Sequence, residues 1–204
     1  MNVNTIGVIG AGSVGRRIAR AALLGGYRTI LEDVSSDALD QGMAHIRQSI
    51  DESVARERVT RPQAVEALAR LSAASRVDDV CREADLLIET APEEMEVKLE
   101  IFTIFDKFAK PDAILASHTE LSITDIAAIT FRTENCAGMR FIFGAPTENR
   151  LEIVRGADTS DATIATCLEV GHRLGMHSVV VPDSPELDAG GESGTQVRAK
   201  GVAE

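Results

Sequence analysis

The tightest constraint on this chain lies near its start. NTIGVIGAGSVGRRIARAALL sets Gly10, Gly12 and Gly15 in the spacing GxGxxG between a β-branched run and an apolar pattern at helical spacing. A strand delivered into a glycine turn and then a helix is the first unit of a dinucleotide-binding fold. The three glycines serve different ends. Gly10 permits the tight turn, Gly12 lets backbone approach a pyrophosphate, and Gly15 allows the helix to pack closely on the strand. Ser13 and Val14 open that helix, so the diphosphate meets its electropositive N-terminus. Eighteen residues after Gly15, Asp33 ends the second strand, RTILED, where a carboxylate accepts hydrogen bonds from the adenosine ribose hydroxyls. The same carboxylate repels the extra phosphate of NADP, so NAD is the expected cofactor. Arg16 and Arg17 follow the last glycine and read either as phosphate contacts or as solvated charge.

The remaining pattern continues the alternation. SSDALDQGMAHIRQSIDESVARE predicts a long helix capped at Ser35 or Ser36, and Thr60 caps another that has Pro62 in its first turn and VEALARL as its body. Together they make a charged helical hairpin over about 35–71, inserted in the sheet pattern. A weak strand near 73–76 follows, then the strand ADLLIET, a helix over about 93–110, the strand AILAS and a short helix over about 122–129. CAGMRFIFGAPTENRLEIVRG reads as two strands joined by a turn. A helix capped at Ser160 and the strand HSVVVP close the series. Such βα units pair in parallel with helices on both faces, which predicts an α/β, Rossmann-type, doubly wound and mostly parallel sheet over residues 1–184. From Pro185 onward the chain is rich in Gly and polar residues without period, and is read as a flexible tail over 185–204.

Composition narrows the partners. A net charge of -11 repels nucleic-acid backbones and anionic membranes, because such affinity comes from Lys and Arg displacing counterions. No apolar run approaches the ~20 residues of a membrane span, and no leader pattern precedes the glycine motif. Cys81, Cys136 and Cys167 are widely spaced and read as reduced thiols of a cytoplasmic protein. Neither they nor His45, His172 and His177 have the spacing of metal ligands, so no metal site is expected.

One pair does not fit a plain scaffold. Arg140 stands inside the apolar run MRFIF, and Glu152 lies twelve residues on in LEIV, on the next strand. Arginine has no acceptor atom and a pKa above ~12, so it cannot serve as a general base near neutral pH.

In GVIGAGSVG, ADLLIETAPEEMEVKLEIF, PDAILASHTELSITDIA, GMRF, LEIVRGADTSD and VVVPDSP, taken in that order over about residues 4–185, the chain resembles the NAD-binding domain of the 3-hydroxyacyl-CoA dehydrogenases. The resemblance implies diphosphate contacts at Gly10, Gly12 and Gly15, ribose contacts at Asp33, and a nicotinamide-lining segment containing Ala91, Glu93 and Lys98. If Glu93 and Lys98 were purely structural, they would be a helix N-terminal acid and a nearby surface lysine. Arg56 and Arg58 fall where the family's hairpin meets coenzyme A phosphates, though a solvated helix end accounts for them equally well.

The catalytic pattern departs from the family's. GMRF replaces GMHF, whose His takes the hydroxyl proton, while Glu152 keeps the place of the Glu that orients it. Ser117-His118-Thr119-Glu120 replaces SNTSS one residue shorter, with His118 at the Asn position, and Phe143-Gly144-Ala145 replaces FNP. The family's helical C-terminal domain, which closes over the acyl chain and makes the dimer, has no counterpart in the tail. Three readings follow. The chain is an NAD-binding member impaired in the family reaction. Alternatively, it is an active NAD-dependent oxidoreductase on a hydroxyacyl or small acidic hydroxy substrate, in which His118 is the base, Arg140 grips the substrate and Glu152 positions Arg140. The third reading is that another polypeptide supplies the missing domain, in a homo- or hetero-oligomer.

Overall fold

The computed structural model describes residues 2–144 and 149–183. The expected tail and Ala145 lie outside them. β1 (Thr5–Ile9) runs into α1 (Ser13–Leu24), followed by β2 (Arg28–Glu32), α2 (Ser36–Ala55), α3 (Arg61–Ala69), β3 (Leu71–Ala74) and α4 (Val77–Glu83). Next come β4 (Leu86–Glu89), α5 (Met95–Phe108), β5 (Ile114–Ser117), α6 (Ile123–Ala127), a 3-10 turn over Thr133–Asn135, β6 (Cys136–Ile142), β7 (Arg150–Arg155), α7 (Asp161–Arg173) and β8 (His177–Pro182).

The strands form one eight-stranded sheet in the order β3-β2-β1-β4-β5-β6-β7-β8. Every neighbouring pair is parallel except β6 and β7, which are antiparallel. This is the expected Rossmann-type sheet with its hairpin insertion. β1, β4 and β5 are buried along their whole length, as strands covered on both faces must be. The helices α1, α2, α3 and α7 share one core with the sheet, around Ile18, Leu23, Ile46, Ile50 and Cys167. The other face packs α4, α5 and α6 through Val80, Phe102, Phe105 and Ile126.

Local chemistry sets the ends of these elements. Ser35, Ser122 and Ser160 each cap a helix through the side-chain oxygen, and Thr60 with Gln63 completes a reciprocal capping box. A side-chain cap of this kind typically contributes ~1 kcal/mol. Two elements begin elsewhere than the pattern suggested. β3 lies at Leu71–Ala74, two residues earlier, and α5 begins at Met95, which leaves Glu93 in the preceding loop. The helix α4 is absent from the sequence-based expectation. Its apolar side is only Val77, Val80, Cys81 and Ala84, while Asp78 and Asp79 in its first turn and Arg82 in its last complement the helix dipole.

The strand order reverses direction between β1 and β4. A crevice therefore opens at the carboxyl ends of these two strands, where open α/β sheets bind their ligands. All three cysteines are free and buried, and burial pushes the Cys81 and Cys167 thiols up to about 12 and that of Cys136 to about 11. No described helix is long and apolar enough to cross a membrane.

Candidate cofactor and active site

The glycine loop sits at the mouth of the crevice. Gly10 has φ +102, a conformation that side chains disfavour, and a Cβ there would stand 2.8 Å from the Thr90 hydroxyl. Its N–H donates to the Glu32 carbonyl at 2.8 Å, which ties the turn to the end of β2. A Cβ on Gly15 would collide with the Gly10 carbonyl oxygen, so the loop and the first turn of α1 touch backbone to backbone. Gly12 is different: a Cβ there would meet nothing within 4 Å, so protein packing does not require a glycine at this position. Gly12 is also the N-cap of α1. It supplies no side-chain cap, and the first turn, which holds Ser13 and Val14, carries no acidic residue. Uncapped N–H groups facing open space are what a diphosphate needs.

Asp33 follows β2, as expected. Its Oδ2 accepts the Ala11 N–H at 2.8 Å and its Oδ1 the Ser35 N–H at 2.9 Å, so the carboxylate braces the glycine loop against the start of α2. A carboxylate offers about four lone-pair sites, which leaves acceptor capacity for ribose hydroxyls. Glu32, just before it, is 3% exposed; burial and then the Asp33 charge raise its carboxyl to about 7.

Lys98 and Glu93 depart from the structural picture of a helix-end acid beside a surface lysine. Lys98 is fully buried, with Nζ 3.1 Å and 3.2 Å from the two carboxylate oxygens of Glu89, itself fully buried at the end of β4. Nζ also lies 3.2 Å from Glu93 Oε2 and donates to the carbonyls of Ala91 and His118. Glu89 further accepts the Ala91 N–H and the Ser117 hydroxyl. Glu93 in turn accepts the Thr119 hydroxyl at 2.6 Å and the N–H groups of Glu120 and Leu121. Partial burial pushes the Glu93 carboxyl up. The donors from Thr119 and Glu120 and the Lys98 charge outweigh it, so the net shift is downward.

Glu93 and Lys98 thus converge on the segment 118–121, and Ala91 is tied to them through the Lys98 ammonium. Sequence reading missed Glu89 as the anchor of this network. Its signal was an acid ending the wholly apolar run LLI at the centre of the sheet.

Arg140 and Glu152 face each other directly across β6 and β7. The pairing is looser than the register suggests: Arg140 Nη1 is 3.7 Å from Glu152 Oε2, while Arg150 reaches Glu152 at 2.8 Å. The Arg140 Nε donates to the Thr119 carbonyl at 2.8 Å and lies 3.3 Å from a carboxylate oxygen of Glu120.

The His118 imidazole lies against the same strand. Its Nδ1 accepts the Phe141 N–H at 3.2 Å, and the Met139 backbone is a further partner. Burial lowers the imidazole below its ordinary pKa, with the Met139 contact opposing. With Nδ1 accepting from the Phe141 N–H, a neutral imidazole carries its proton on Nε2.

Beside this region a cavity of about 410 Å³ lies between α1, α2 and the end of β6, lined by Arg17, Arg20, Ser49, Arg56, Arg58 and Phe143. Arg20 donates to the Ser53 hydroxyl at 2.7 Å, but its Nε is buried without a partner among the described residues. Burial and then the charges of Arg58 and Arg17 lower its pKa, the mark of crowded positive charge. Arg17 stacks over the Phe143 ring at 4.3 Å.

Residues 5–184 match the family described as "3-hydroxyacyl-CoA dehydrogenase, NAD binding domain". The chain is 41% identical over 184 residues to a 3-hydroxybutyryl-CoA dehydrogenase of Bradyrhizobium diazoefficiens, covering 90% of this chain and 62% of that protein. It is 31% identical over 186 residues to a probable 3-hydroxybutyryl-CoA dehydrogenase of Bacillus subtilis, covering 91% and 64%. The crystal structure of (S)-3-hydroxybutyryl-CoA dehydrogenase from Ralstonia eutropha superposes with a TM-score of 0.85 at 33% identity, over 90% of this chain and 65% of that one. The chain thus spans less than two thirds of the length of these relatives. The uncapped glycine loop, the Asp33 carboxylate that braces it and the match over residues 5–184 lead to one conclusion: this chain belongs to the 3-hydroxyacyl-CoA dehydrogenase family and carries its NAD-binding domain, with NAD as cofactor.

Proposed function

We propose that this chain binds NAD and an acyl-CoA, and that it is impaired in the family's dehydrogenation because no group at its centre can take the hydroxyl proton. The carrying observation is Arg140, a guanidinium that is 8% exposed at the position where the resemblance implies an imidazole base. It has donors only, and its Nε is committed to the Thr119 carbonyl. His118, the alternative base, spends Nδ1 on the Phe141 N–H.

Gly10, Gly12, Ser13, Val14 and Gly15 would hold the diphosphate, Asp33 the adenosine ribose, and Ala91, Glu93 and Lys98 would line the nicotinamide end. Bound there, NAD supplies the hydride acceptor. The arginine cavity suits the phosphates of coenzyme A, since among the described residues Arg17, Arg20, Arg56 and Arg58 face only Glu52 as an opposing charge within it. The wider assembly, whether a second copy or a chain bringing a helical domain, belongs to the same proposal, as do a cytoplasmic setting and a division into a domain over 1–184 and a tail.

Two measurements test this reading. Calorimetry with NAD and NADH should give binding that Asp33→Ala weakens by about 10- to 100-fold, the worth of hydrogen bonds to a charged group. NADH formation from (S)-3-hydroxybutyryl-CoA should be at least 100-fold below the ~10 per second of an ordinary enzyme, and Arg140→His should raise it. Wild-type turnover near that ordinary value would overturn the claim of impairment.

A further inference from the structure

We propose that Arg140 is a receptor for a small monocarboxylate and that Glu120 is its built-in occupant, a carboxylate of the chain itself that an incoming ligand displaces. The proposal rests on the reading above that Arg140 stands where the reacting group of a substrate would lie.

The guanidinium is almost removed from water yet poorly matched. Of its five N–H donors, only the one on Nε makes a hydrogen bond to a described residue, the Thr119 carbonyl. Glu152 stands at 3.7 Å, beyond hydrogen-bonding distance, and is itself drawn to Arg150 at 2.8 Å. The other acid in reach among the described residues is Glu120, 3.3 Å from Nε. An arginine fork whose terminal nitrogens make no hydrogen bond to a described residue is a site for a planar, two-oxygen anion.

Glu120 is built to leave. Its backbone is fixed, because its N–H donates to Glu93 Oε1 at 2.6 Å, while its side chain is 63% exposed. Rotation of that side chain alone would withdraw the carboxylate into solvent and uncover the guanidinium without moving the main chain.

The surrounding charge selects the ligand. Glu152, 3.7 Å from the guanidinium, repels a phosphate dianion more strongly than a single carboxylate, the charge Glu120 already brings. Glu93 joins Thr119, whose carbonyl holds Arg140, to Lys98, so the receptor is one residue away from the nicotinamide-lining group. The class that fits is a short oxo- or hydroxy-acid anion whose carboxylate lies on Arg140.

The test is calorimetric titration with acetoacetate, a 3-oxo monocarboxylate, in saturating NADH. The wild type, Glu120→Gln and Arg140→Met are compared, with methyl acetoacetate as the uncharged control. Glu120→Gln should tighten acetoacetate by about threefold, the worth of displacing a largely exposed ion pair. Arg140→Met should weaken it at least tenfold, and the ester should not bind. Acetoacetate affinity that is unchanged or weaker in Glu120→Gln, or retained in Arg140→Met, overturns the proposal. Should Arg140→Met fail to fold, the exposed Glu120 substitution still decides. NADH binding is recorded separately, so failure of the cofactor site is told apart from failure of the receptor.

Discussion

Replacing Lys98 with methionine tests whether the buried network or the apolar core holds the ends of β4 and β5 together. The substitution keeps most of the volume and removes one charge. Glu89, fully buried, then faces the interior without its cation, and the Ala91 and His118 carbonyls each lose a donor. Breaking one side of a buried pair generally costs about 3–5 kcal/mol. Glu89 retains the Ala91 N–H and the Ser117 hydroxyl, which places the expected loss near the lower end, about 3 kcal/mol. At roughly 2–4 °C per kcal/mol for a domain of this size, Tm should fall by about 6–12 °C. The assay is thermal unfolding of Lys98→Met, Glu89→Gln and the double variant. The double variant should be less destabilised than the sum of the singles, by about 2 kcal/mol of coupling. A Tm loss below about 2 °C, or strict additivity, would refute the claim that the pair acts as a unit.

The two later glycines of the loop should separate folding from binding. Gly12→Ala should leave Tm within about 2 °C but weaken NAD at least tenfold, whereas Gly15→Ala should lower both, because its Cβ meets the Gly10 carbonyl; equal effects on Tm would contradict the assigned roles. Glu32 predicts a pH effect of definite sign. Its folded pKa, about 7, lies above the ordinary 4.5, so its stability contribution is complete below about 4.5 and is lost as pH rises through 7. Glu32→Gln should therefore be more stable than wild type at pH 8 by about 1–2 kcal/mol after allowance for screening, with the difference gone by about pH 4.5. Unfolding curves across that range check it, and a pH-independent difference would remove the carboxyl as its cause.

Features that depend on neighbours along the chain could be read from the sequence. The roles of Gly10 and Gly15, the caps at Ser35, Thr60 and Ser160, and the facing of Arg140 and Glu152 across adjacent strands all follow from local spacing. What spacing does not contain is competition among distant partners. Lys98 reads as a surface lysine until α5 is laid on the sheet and its ammonium arrives between Glu89 and Glu93. Arg140 reads as the partner of Glu152 until Arg150, two residues away on β7, takes the closer position. Nor does spacing show that the His118 ring, beyond the point where β5 ends, bonds the backbone of β6. The helix α4 was missed because about two turns with only Val77, Val80 and Cys81 as apolar positions are weak as periodicity and become visible only through burial against α5 and β1.

The arginine cavity has a kinetic meaning. The chain as a whole carries a net charge of -11, so an anionic ligand is repelled at long range and attracted only once it comes within about one Debye length, ~8 Å, of Arg17, Arg20, Arg56 and Arg58. Approach is thereby funnelled to one face: added salt lifts the distant barrier and also loosens the final hold. Association and dissociation of a coenzyme A ester would then both quicken with ionic strength, so that affinity changes much less than either rate.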